Sequence, residues 1–122
     1  MTGSLEIVNE YYDATNSRKD PDAAGALMTD DFLFLGPLMR LEGRDANVAL
    51  LRQFLPAHIE TRMHKQFVDG DEVCSIYDMV VAGPSGAVIT MAIADWIRVA
   101  NGRLANQTIY YDPRDFAKAF GL

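Results

Sequence analysis

Cysteine is almost missing from this chain of 122 residues. Cys74 stands alone, so no internal disulfide can form and no thiolate zinc site can be built from it. Basic residues are also scarce: eleven Lys and Arg face seventeen Asp and Glu, a formal net charge of -6. A field of that sign repels phosphate backbones and anionic lipid, so neither nucleic acid nor a membrane surface is an expected partner. The two histidines, His58 and His64, lack metal-ligand spacing, and no metal is expected. No Gly-rich phosphate loop, nucleophile elbow or zinc-protease helix motif occurs, and no organic cofactor is implied. No stretch approaches the roughly 18 apolar residues of a membrane span. Glu6, Glu10 and Asp13 occupy a start without a basic or apolar targeting pattern, so a cytoplasmic setting is expected.

What is present is an average globular composition, 49% hydrophobic and 23% charged. One domain over residues 1–122 is expected, large enough to bury about two-thirds of its unfolded surface. Leu5, Val8, Tyr12 and Thr15, flanked by Ile7, Tyr11 and Ala14, recur at helical spacing and predict a helix from Leu5 to Asn16, with Ser4 as N-cap. Asp20-Pro21 starts a second helix over Asp22–Met28, which Thr29-Asp30-Asp31 ends. Phe32–Leu35 reads as a buried strand stopped by Gly36-Pro37, and Arg44–Phe54 as a third helix closed by Pro56. Four strands follow: Thr61–Val68, Val73–Ala82, Ala87–Val99 and Arg103–Tyr111, with turns at Asp69-Gly70-Asp71, Gly83–Gly86 and Asn101-Gly102. Asp112-Pro113 opens a short last helix, with Asp115 as capping-box partner, Phe116 and Phe120 as anchors and Gly121 at its end. Early helices followed by an antiparallel meander define an α+β fold, a curved sheet wrapped around three N-terminal helices with an internal pocket.

Most polar residues have structural explanations. Asp20 and Asp112 sit as caps, Asp69 and Asp71 as turn residues, His64 as a surface or sheet-edge residue, and Cys74 as a small hydrophobe. Asp95 does not fit that pattern. It interrupts the most apolar strand, on the face of Met91, Ile93 and Ile97, with Trp96 and Arg98 opposite. A carboxylate there must be paired, hydrogen-bonded or protonated. Tyr12, on the inward stripe of the first helix, is a partner that needs one itself.

Several segments together look like the nuclear transport factor 2-like superfamily. They include Tyr12-Asp13-Ala14-Thr15-Asn16, Ala26–Phe32, Gly36-Pro37, Gly43-Arg44-Asp45-Ala46, Asp69–Val73, Asp95-Trp96-Ile97-Arg98, Asn101–Leu104 and Tyr110-Tyr111-Asp112-Pro113. They cover nearly the whole chain and resemble most the SnoaL-like polyketide cyclases and ketosteroid isomerases. The resemblance implies a blind apolar pocket for a small-molecule ligand and a homodimer packed through the outer sheet face. In ketosteroid isomerases a helix tyrosine and a protonated strand aspartate donate to a developing enolate oxygen. By spacing, Tyr12 and Asp95 fall on those two positions. The isomerase base precedes the proline after strand one, where this chain has Gly36, and glycine cannot abstract a proton.

A substitute base would come from another wall of the cavity. Asp78 is the candidate if Cys74, Ile76 and Val80 point inward with it; the opposite register aims Tyr77 and Met79 inward instead. His64 is a further candidate. In SnoaL-like cyclases a strand aspartate is itself the acid/base, a role Asp95 could fill alone. Phe32, Phe34, Ile93 and Ile97 are candidate ligand contacts, and the resemblance turns Gln107, Ile109 and Tyr111 toward the cavity as well. The expected activity is cofactor-independent isomerisation or cyclisation of an apolar carbonyl compound by proton transfer. The alternatives are a non-catalytic ligand-binding or dimerisation domain, and an epoxide hydrolase, which would need an Asp–Arg–Asp group.

Overall fold

Helix α1 spans Ser4–Tyr12 and buries Ile7, Val8, Tyr11 and Tyr12, the stripe its apolar spacing dictates. It belongs to a computed structural model that describes residues 3–122. The N-cap is Gly3, not Ser4, whose hydroxyl instead donates to the carbonyl of Gly70 over 2.7 Å. Nor does the α-helix reach Asn16: a π-helical turn, Asp13–Ser17, follows it. There the Thr15 hydroxyl donates to the Tyr11 carbonyl at 3.0 Å, a back-bond that competes with regular α pairing. Helix α2, Pro21–Ala26, is capped by the Asp20 carboxylate, which accepts from the Ala23 amide at 3.1 Å.

The second helix is shorter than its composition predicts. Met28 begins strand β1, Met28–Leu35, which takes in Thr29, Asp30 and Asp31. Parallel pairing with the last strand starts at Met28 opposite Leu104, and a register shift between Met28 and Leu33 absorbs the polar residues. A ladder to a distant strand thus overrides local turn chemistry. Strand β2, Arg40–Glu42, was not expected, because three polar-flanked residues carry no periodic signal. Helix α3 runs Arg44–Phe54 and passes into a single 3-10 turn, Leu55–Ala57, around Pro56.

Strand β3 begins at His58 rather than Thr61 and ends at Asp69, so both histidines lie within it. Strands β4, Glu72–Ala82, β5, Val88–Ala100, and β6, Arg103–Tyr110, complete the antiparallel meander. Asn101 and Gly102 both have positive φ, 53° and 77°, the geometry a two-residue turn between twisted strands requires. The strand order is β2-β1-β6-β5-β4-β3, a curved, unclosed six-stranded sheet. Helix α4, Arg114–Phe120, packs Phe116 against Phe54, Tyr111 and Phe120. Asp115 makes no capping bond; the first-turn amide of Arg114 is taken by Asp112 at 3.1 Å. Among the described residues no helix is long and apolar enough to cross a membrane.

A candidate active site around Asp95

Alternation along β5 turns Met91, Ile93, Asp95 and Ile97 to the concave face, where α1 covers them. Asp95 is fully buried. Its Oδ2 accepts from the Tyr77 hydroxyl at 2.7 Å and from the Tyr12 hydroxyl at 3.0 Å. The Gln107 amide donates to Oδ1 and Oδ2, each at 3.0 Å, while its own carbonyl oxygen accepts from the Tyr11 hydroxyl at 3.4 Å. The network joins α1 to the consecutive strands β4, β5 and β6, with bonds that span 83 and 96 residues of chain.

Burial pushes the Asp95 carboxyl up to about 6, and the bonds from Tyr77, Gln107 and Tyr12 restrain that rise by favouring the charged form. The three tyrosines respond the other way. Burial first, then the neighbouring carboxylate, raises each hydroxyl well above its ordinary value, so all three remain donors. An ionised acid held by three donors with a pKa near neutrality can both take and return a proton.

Beside this network lies a cavity of about 160 Å³, lined mainly by apolar side chains. An apolar void of about 150 Å³ holds a benzene ring, so the space accommodates roughly one ring. Of the residues singled out from the sequence, Tyr12, Asp95, Phe34, Ile93, Gln107, Ile109 and Tyr111 line it. Phe32 and Ile97 do not. Both are buried in the core, 1% and 0% exposed, behind the cavity wall. Asp78 and His64 also lie away from it. The β4 register aims Tyr77 and Met79 inward and Asp78 to the outer face, where its Oδ2 sits 3.0 Å from His64 Nε2. A one-residue slip in strand phase exchanges faces, and periodicity alone did not decide it.

Sequence reasoning missed three contributors. Tyr77 supplies the shortest bond to Asp95; the alternative register had placed it inward without a role. Tyr11, read as flanking core, orients Gln107. Buried Asn47 lines the cavity and donates to the carbonyls of Gly43 at 2.8 Å and Leu41 at 3.3 Å, tying α3 to the β2 edge. Gly36 lies at the cavity wall, and a Cβ there would approach Ile109 Cγ1 to 3.3 Å and Phe34 Cε1 to 3.4 Å. A side chain at that position would press on Ile109, which would have to give by a few tenths of an ångström.

A second polar cluster lies apart. Lys19 Nζ donates to His58 Nδ1, which leaves Nε2–H to donate to Thr61 Oγ1 at 2.7 Å. Burial first, and the Lys19 charge second, hold the His58 imidazole down at about 4, while burial also lowers the Lys19 ammonium.

Residues 8–107 match the family model of the SnoaL-like domain. No protein of curated function matches the sequence. Solved structures do. A nuclear transport factor 2-like protein of unknown function from Cytophaga hutchinsonii is 25% identical, with TM-score 0.82 over 95% of this chain and 96% of that one. A protein with a ketosteroid isomerase-like fold from Catenulispora acidiphila, in complex with trimethylamine, is 18% identical, with TM-score 0.78 over 96% and 93%. An epoxide hydrolase of M. tuberculosis, similar to limonene epoxide hydrolase, is 22% identical, with TM-score 0.80 over 96% and 88%.

Proposed function

The chain belongs to the SnoaL-like domain family, and on that footing we propose that it is a cofactor-independent proton-transfer enzyme acting on a small apolar carbonyl compound. Asp95 is the acid/base. The observation that carries this role is a buried carboxylate, raised to about 6, at the wall of an apolar cavity and bonded only to neutral donors. Ionised, it removes a proton from the carbon beside the carbonyl; protonated, it returns that proton to another atom of the same substrate. With Gly36 in place of a second base, one carboxylate performs both transfers. Tyr12 and Tyr77 hold the charged form before the first transfer.

The test is exchange. A cyclic ketone incubated with the protein in deuterated buffer should take up deuterium beside its carbonyl, read by NMR. Asp95→Asn should slow this by about 100-fold or more, the ordinary contribution of a positioned acid/base. Exchange at the buffer rate in the presence of wild-type protein would overturn the proposal in favour of a non-catalytic binding domain. Gly36 is the observation that favours that second reading. Epoxide hydrolysis is not favoured: Arg98 lies on the outer face, its guanidinium donating to the side-chain Oδ1 of Asn106, and Asp95 is without an arginine partner.

We also propose a homodimer through the outer face of the sheet. Exposed Phe67 and Trp96 flank Cys74 in one row across β3, β4 and β5, and Tyr110 is exposed on β6. Contiguous exposed aromatic surface of this kind marks an association site.

A further inference from the structure

The hydrogens at the floor of the cavity are already committed. Tyr12 and Tyr77 give theirs to Asp95, Gln107 gives its amide hydrogens to both carboxyl oxygens, and Tyr11 gives its own to Gln107. A phenol has one hydrogen to donate; once that is directed to Asp95, its oxygen can only accept. The floor therefore offers an entering molecule phenol lone pairs, ring faces and the carboxylate that the phenols hold. The groups that face Asp95 are Tyr11 and Tyr12 from α1, Tyr77 and Ser75 from β4, and Gln107 from β6, and none is basic. Among the described residues no lysine, arginine or histidine lines the cavity at all.

An uncompensated negative charge in such a setting acts strongly on whatever comes near, because little water is present to screen it. Aromatic faces carry negative quadrupole density and attract cations in the same way. We infer, resting on the cavity being a small-molecule site but not on its being catalytic, that it takes a ligand bearing a protonated amine on an apolar body. The ammonium N–H donates to the Tyr12 and Tyr77 oxygens above Asp95, and its alkyl groups meet the aromatic wall. The cavity volume sets the body at about one ring. Carboxylates and phosphates are disfavoured at the floor, since no donor around Asp95 is free to receive them and the field opposes them.

Three probes of nearly equal size separate charge from shape: N,N-dimethylbenzylamine, benzyl methyl ether and phenylacetate. Each is titrated by calorimetry into the wild-type protein at about pH 8. The amine should bind at least about tenfold tighter than the ether, the effect of one favourable charge contact, and phenylacetate should not bind. In Asp95→Asn the amine should fall to the level of the ether. Lowering the wild-type solution to about pH 5 neutralises the same carboxyl without a mutation, so the amine should weaken several-fold there even if the variant does not fold. Wild-type affinity for the ether or phenylacetate equal to that for the amine would overturn the inference. So would an amine preference left unchanged at low pH. A missing deuterium exchange with amine preference intact removes catalysis and leaves this charge selection standing.

Discussion

Tyr77 reaches Oδ2 of Asp95 at 2.7 Å, closer than Tyr12 approaches the same oxygen. A hydroxyl that donates to a carboxylate favours its charged form, so Tyr77 holds the Asp95 pKa below the value burial alone would set. Tyr77→Phe should therefore raise that pKa above about 6, and an NMR titration of the labelled carboxyl carbon reads the shift directly. Above pH 7 the lost bond should also destabilise the fold by about 1.5–3 kcal/mol, the range for bonds to charged groups. An unmoved titration would mean that the two oxygens are not bonded in solution.

Asp95 makes the protein less stable as pH rises. Its folded pKa, about 6, lies above the ordinary 3.8. Between those values the folded chain holds a proton that the unfolded chain has released. The stability Asp95 contributes is thus present below about pH 4 and lost as pH climbs through about 6. The full change is about 3 kcal/mol. Asp95→Asn should erase this slope and match or exceed wild-type stability at pH 8 in urea denaturation. A variant that retains the wild-type slope would place its origin elsewhere.

His58 slopes the opposite way. Its folded pKa is lowered to about 4 from 6.5, so the unfolded chain takes up the proton first as the solution is acidified. The contribution is complete above about pH 6.5 and is lost as pH falls toward 4. His58→Gln keeps a polar side chain but cannot titrate. Relative to it, wild type should lose stability across this acidic window, and parallel curves for the two proteins would exclude the imidazole as the cause.

Trp96 tests the outer face. Its ring is 45% exposed, with Nε1 donating to Glu72 at 2.8 Å. Trp96→Glu sets a charge in the middle of the proposed interface, where desolvating it is costly. Light scattering should then give half the wild-type mass. Equal masses for variant and wild type would rule this surface out as the dimer contact.

Asp95 was legible because a single carboxylate after the run Val88–Ala94, apolar except for Thr90, breaks a pattern that has no other cause for a break. Tyr12 was legible from the helical stripe. Phe34, Ile93, Gln107, Ile109 and Tyr111 followed from strand alternation combined with family resemblance, and all reach the cavity. Asp78 failed for a definite reason. β4 carries side chains of mixed polarity on both faces, so its phase could be set only by pairing with β5, where Tyr77 lies opposite Ile93 and Asp78 opposite Ala92. Phe32 and Ile97 are as apolar as the true wall residues, and hydrophobicity does not distinguish the wall of a cavity from the core behind it.

Local spacing and turn chemistry were enough to give the α+β order of elements apart from β2, the inward stripe of α1 and the anomaly of a carboxylate in a greasy strand. Tertiary structure alone decided what that carboxylate meets. Tyr12, Tyr77 and Gln107 come from α1, β4 and β6, and only the closing of the sheet around the helix brings their three hydrogens onto one acid. The parallel pairing of β1 with β6 and the phase of β4 are likewise long-range facts, fixed by ladder partners up to 76 residues away along the chain.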